Sequence, residues 1–114
     1  MRRIKFIVLL VSGLSLLSCE MFDSSIEVKY EVTGTASSVD VTYENSDGGT
    51  SQSSNVSVPW EYSFTGNPGD FVYISAQNQG SSGTVTTKIL TDGDKFKSST
   101  STGAYVIASA SGSL

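Results

Sequence analysis

From Ile26 to the end of the chain, apolar and polar positions alternate with a period of two, the pattern of strands that bury one face and wet the other. Ile26, Val28, Tyr30 and Val32 alternate with Glu27, Lys29, Glu31 and Thr33, and Val39, Val41 and Tyr43 alternate with Asp40, Thr42 and Glu44. Gly34 to Ser38 turns the chain between these two runs. Ser46-Asp47-Gly48-Gly49 supplies the positive φ angles of a tight hairpin. Thr50 to Ser57 is polar and reads as a weak or edge strand. Pro59 cannot donate to a ladder, so it belongs at an edge or at the start of a strand. Trp60, Tyr62 and Phe64 then share a face, and Gly66-Asn67-Pro68-Gly69-Asp70 turns the chain again.

Phe71 to Gln77, Thr84 to Thr91, Lys95 to Ser99 and Thr102 to Ser111 complete the set, with Gln79 to Gly83 and Asp92-Gly93-Asp94 as turns. Seven or eight short strands without a helical period predict an all-β fold, a small Ig-like antiparallel β-sandwich, with a small closed barrel as the alternative. The Cys…Trp…Cys spacing of true Ig domains is absent. The alternation also assigns faces. Trp60 is expected in the core, and Val72, Ile74 and Ala76 face inward together with Ala104, Val106, Ala108 and Ala110. Phe71, Tyr73, Tyr105 and Ile107 must then point outward, which makes these four a candidate interaction patch.

The first residues follow a different pattern. Arg2, Arg3 and Lys5 precede an apolar run from Phe6 to Leu17, too short for the roughly 20 residues of a spanning helix. Leu16-Leu17-Ser18-Cys19 closes that run and resembles the lipobox of bacterial lipoproteins. The resemblance implies cleavage between Ser18 and Cys19, a diacylglyceryl thioether on Cys19, and acylation of the new amino terminus. The organisation expected is a signal peptide over 1–18, a lipidated tether over 19–25 and one β-sandwich domain over 26–114. The acyl chains exceed the two signals that stable anchoring requires. Glu20, in place of the Asp that retains lipoproteins at the inner membrane of some bacteria, favours the outer membrane and leaves open which side the domain faces.

Removing the leader changes the charge. Four Lys remain against eleven carboxylates, a formal charge of −7. Without a basic patch, nucleic acid and anionic lipid are poor partners. Cys19 is the only cysteine, so no disulfide staples the domain.

A family resemblance runs through the same stretch. Tyr30-Glu31-Val32-Thr33-Gly34-Thr35-Ala36, Val39-Asp40-Val41-Thr42-Tyr43, Val58-Pro59-Trp60, Gly69-Asp70-Phe71-Val72, Ser75-Ala76-Gln77, Gly83-Thr84-Val85-Thr86, Ile89 with Asp92-Gly93, and Thr102-Gly103-Ala104-Tyr105 occur in the order seen in the MmpS family of mycobacterial small membrane proteins. The resemblance covers residues 26 to 112 and implies an extracytoplasmic β-sandwich that is accessory to an RND-type exporter of lipids or siderophores. Two departures stand out. Family members typically keep an N-terminal transmembrane helix where this chain resembles a lipoprotein. They also tend to carry cysteines at the positions of Thr87 and about Ala110, both absent here.

Catalytic chemistry is not expected. There is no His, the Ser residues have no evident general base, and no phosphate loop, dinucleotide fingerprint or zinc spacing occurs. Asp92 and Asp94 flank a glycine without further calcium ligands, and a hairpin turn accounts for them. The expectation is a protein with no enzyme activity, cofactor or metal. Two roles are compatible with it: a transport accessory that contacts an RND-type transporter, or a free-standing envelope or surface lipoprotein that binds a glycan or a protein.

Overall fold

The computed structural model describes residues 24–114; the leader, the cleavage position and Cys19 lie outside the described residues. Eight strands form: β1 (Ile26–Gly34), β2 (Val39–Glu44), β3 (Thr50–Val56), β4 (Trp60–Gly66), β5 (Phe71–Asn78), β6 (Thr84–Thr91), β7 (Asp94–Thr102) and β8 (Ile107–Ser113). They make two antiparallel four-stranded sheets, ordered β4-β1-β6-β7 and β3-β2-β5-β8. The layers are those of the expected Ig-like sandwich. The strand order is different from an Ig constant domain, which groups strands one, two, five and four against three, six and seven.

Two connections are hairpins within a sheet, β2–β3 and β6–β7. Asp92 and Gly93 join β6 to β7 at φ +50° and +88°, the paired positive values of a type I′ turn. In the β2–β3 hairpin the Asn45 side chain accepts from the Asp47 and Gly49 N–H groups at 2.9 and 3.1 Å and donates to Ser51 at 2.8 Å. The other connections cross between the sheets. One uses Gly34 at φ +133°, where a Cβ would strike the Thr84 carbonyl that accepts from the Thr35 and Ala36 N–H groups.

Alternation delivers Val28, Tyr30, Val32, Val39, Val41, Val72, Ile74, Ala76, Val85 and Ile89 to the interior, all fully buried. Side-chain size then shapes the space between the sheets. Where β5 and β8 supply Ala76, Ala108 and Ala110, the sheets approach closely and β7 packs against β8. A β-bulge next to Leu90 leaves Phe96 without a partner across the ladder, and its ring packs over Gly112. At the other margin Tyr30, Tyr43, Trp60, Tyr62 and Phe64 pack with ring centroids 4.7–6.2 Å apart, mostly tilted. Aromatic rings there hold the sheets further apart, and β3 and β4 make no contact comparable to that of β7 with β8. Trp60 is accordingly half-buried, its ring tilted against Tyr43 at 5.3 Å, rather than enclosed as the sequence suggests.

The last strand corrects one expectation. Ala104 and Val106 were to extend the inward face of a strand beginning at Thr102. Instead β7 runs to Thr102, residues 103–106 cross to the second sheet, and β8 starts at Ile107. Ala104 is exposed and Val106 half-buried. The crossing requires Gly103 at φ +126° and Tyr105 at φ +57°, which no continuous strand could contain.

Candidate interaction site

The four outward residues of the candidate patch lie on one face of the β3-β2-β5-β8 sheet or at its margin, in two separate pairs. Phe71 and Tyr73 open β5, their rings stacked at 6.4 Å and 17°. Antiparallel pairing sets Phe71 opposite Ser113 and Tyr73 opposite Ser111, whereas Ile107 stands opposite Gln77. Four residues of strand, about 13 Å, separate Tyr73 from that row. The surface between is made by Ser75, Ser109 and Ser111. Phe71, Tyr105 and Ile107 are more than half exposed, at 53%, 58% and 55%; Tyr73 is half-buried.

The Phe71 end contains a cleft of about 320 Å³ lined by Glu44, Asn45, Asp47, Phe64, Asp70 and Phe71. Behind its lining residue Glu44 lies Tyr30. The β2–β5 ladder ends at the pair Tyr43–Ile74, and the next backbone groups do not meet directly. The Tyr30 hydroxyl lies between them, donating to the Glu44 carbonyl at 2.7 Å and accepting from the Tyr73 N–H at 3.3 Å. Burial pushes this phenol up to about 12; the Tyr73 N–H opposes the shift and the Glu44 carboxylate adds to it. Below the cleft, Asn67-Pro68-Gly69-Asp70 is a turn of type II form, with Gly69 at φ +93° and the Asp70 N–H bonded to the Asn67 carbonyl at 3.0 Å. Leu114 is tied to the same turn through the Gly69 N–H and the Asp70 carbonyl, at 2.7 and 2.8 Å.

The opposite end is organised by Asn78, a residue the sequence reading passed over. It is fully buried at the end of β5; its amide donates to the Ser82 and Gly103 carbonyls at 2.9 Å each and accepts from the Gly80 N–H at 2.8 Å. An asparagine followed two residues later by glycine is the signature of an Asx-turn, and that was the available signal. Tyr105 projects from the loop that Asn78 holds. No group of three or more His, Cys, Asp or Glu side chains capable of holding a metal occurs among the described residues. No helix among the described residues is long and apolar enough to cross a membrane.

No curated protein matches this chain. The Mycobacterium membrane protein family matches it over residues 8–110, a span that takes in every strand from β1 to β7 and β8 through Ala110. The two-sheet sandwich, with its Val-Pro-Trp entry into β4 and its Thr-Gly-Ala-Tyr crossing into β8, is therefore that of a member of the Mycobacterium membrane protein family, the MmpS family.

Proposed function

We propose that this protein is a non-enzymatic binding module, held at the cell envelope by lipid on Cys19, which serves as an accessory subunit to an RND-type exporter. The observation that carries the accessory role is the family match; the anchor rests on the Leu16-Leu17-Ser18-Cys19 pattern alone. The match begins within the apolar run at residue 8 and continues through the sandwich. The construction of the sandwich agrees with binding. Exposed aromatic residues stand at both ends of the sandwich, Phe71 at one and Tyr105 at the other.

The lipid anchor and the partner are tested together in native membranes. The wild-type chain should incorporate labelled palmitate and, after mild detergent extraction, copurify with an RND transporter. Cys19→Ser should lose the label. Unchanged labelling of Cys19→Ser defeats the anchor. Full labelling without a transporter defeats the accessory role and leaves a lipoprotein that binds a glycan or another protein.

A further inference from the structure

Each sheet is bounded by two edge strands, and the edges are not alike. An edge strand presents unpaired N–H and C=O groups, which natural sheets guard with charges, proline or bulges. β4 follows Pro59 and carries Glu61. β7 carries Lys95 and Lys97 and pairs through the bulge beside Leu90. β3 pairs through a bulge between Val39 and Val41 and holds Asn55 at φ +56°. β8 has none of these devices. Ile107–Ser113 is uncharged, contains no proline, runs in unbroken register with β5 and has no residue at positive φ.

The ladder fixes where the free backbone groups of β8 point. The Asn78 N–H donates to the Val106 carbonyl at 2.9 Å, and the Leu114 N–H donates to the Asp70 carbonyl at 2.8 Å. In an antiparallel ladder the residues bonded to the neighbouring strand alternate, so Ala108, Ala110 and Gly112 turn their backbone groups to β5. Ile107, Ser109, Ser111 and Ser113 turn theirs to the open edge. The Ile107 carbonyl is met there by the Ser101 hydroxyl at 2.8 Å. The three serines, all exposed, have no partner on that side among the described residues. A row of donors and acceptors at strand spacing is matched by another strand, which a sugar or a lipid headgroup cannot imitate.

We propose that β8 pairs with β8 of a second copy of this chain, antiparallel about a two-fold axis at Ala110, joining two four-stranded sheets into one. Because the free groups belong to alternate residues, the register that overlaps the whole strand sets Ile107 opposite Ser113 of the second copy and Ser109 opposite Ser111 of the second copy. No charge meets a like charge in this register, which lets an acidic chain approach its own copy. The outward residues flanking it on β5, from Phe71 to Gln77, are uncharged as well. The pairing also gathers the exposed apolar side chains. Within one molecule Phe71 stands opposite Ser113 and Gln77 opposite Ile107, so six residues of strand, about 20 Å, separate Phe71 from the row of Ile107. Across the two-fold axis, Phe71 of the second copy enters that row. It stands two strand spacings, about 10 Å, from Ile107, with only Ser113 of the second copy between them. Phe71 and Ile107, 53% and 55% exposed in the single chain, thus approach one another twice in the dimer. This contact involves described strands alone and is independent of the anchor and of the exporter.

Sedimentation equilibrium of the purified full-length chain, in density-matched detergent with micelles in excess, should give twice the chain mass. In that dimer the Ser109 and Ser111 N–H groups should exchange at least about tenfold more slowly than in the diluted monomer. Ser111→Pro removes an N–H that points to the open edge and bonds nothing in β5, so it should give a folded monomer. Ser109→Lys places a charge on the same edge without entering the core and should also give a monomer; it decides the matter if Ser111→Pro does not fold. Asp47→Lys, in the β2–β3 hairpin, changes the net charge away from the edge and should leave the dimer intact. A dimer that survives Ser109→Lys, fast exchange of both serine amides in the dimer, or loss of the dimer in Asp47→Lys overturns the proposal. An assembly larger than two also overturns it, because a two-fold pairing closes on itself. A monomeric wild type overturns it as well and leaves the β8 edge to a strand of another protein.

Discussion

Replacing Tyr30 by Phe removes one oxygen from the interior and keeps the ring, so its packing at 5.5 Å from Phe64 and 6.2 Å from Tyr62 is preserved. What is lost is the bridge between the Glu44 carbonyl and the Tyr73 N–H. Each bond contributes about 1 kcal/mol net, and the two abandoned backbone groups lose partners beside a cleft that water can partly reach. The expected cost is about 2 kcal/mol, or roughly 10 °C in melting temperature for a domain of this size. Thermal unfolding of the detergent-solubilised chain by circular dichroism measures it. The pH dependence supplies a second, independent reading. The phenol is pushed up from 10.0 to about 12 in the folded protein, so its neutral form is favoured by folding. Its contribution is complete below pH 10, where both states are protonated. It is lost between pH 10 and about 12, where the unfolded chain ionises first, and amounts to about 3 kcal/mol over that window. Tyr30→Phe should remove this component. A variant that loses less than about 0.5 kcal/mol and retains the wild-type slope above pH 10 would show that the bridge does not hold the ladder together.

Thr87 has a buried hydroxyl without a hydrogen-bond partner, so Thr87→Val should leave stability unchanged or raise it by about 1 kcal/mol in urea denaturation. A loss above 1 kcal/mol would show that the hydroxyl is satisfied. Asn78→Ala strands the Ser82 and Gly103 carbonyls and the Gly80 N–H, and should cost about 3 kcal/mol with faster amide exchange across 79–83 and 103–106; slow exchange there would refute the role assigned to Asn78. Trp60→Ala should cost about 2 kcal/mol, below the 3–5 kcal/mol of an enclosed ring, because the margin it occupies is open on one side. A loss of 4 kcal/mol or more would close that margin.

How much of this was legible beforehand follows from what a period of two can and cannot encode. Alternation assigns faces, and it did so for Val28 to Val32, for Val39 to Tyr43, for Val72 to Ala76 and for Val85 to Ile89, because a one-residue slip would expose every one of them. Turn chemistry is equally local: Asp92-Gly93 and Asn67-Pro68-Gly69 state their own backbone angles. The sequence thus pointed to an antiparallel sandwich of seven or eight strands and to the family to which the chain belongs, and the structure settled the count at eight. It also placed Phe71 and Ile107 on the exposed face; Tyr105 is exposed as well, but from a loop and not from the strand expected there.

Tertiary structure alone decided which strands became neighbours, since a strand's pattern does not name its partner across the gap. Pairing Gln77 with Ile107 divided the four outward residues into two distant pairs. The crossing from β7 to β8 turned an apparent strand at 103–106 into a loop with Tyr105 strained at its tip. Asn78 and Tyr30 became the organising residues of the two ends because each reaches backbone groups that the ladders leave unpaired. Those groups exist only where strands of different length stop, and that is fixed by assembly of the sheets rather than by any local run of residues.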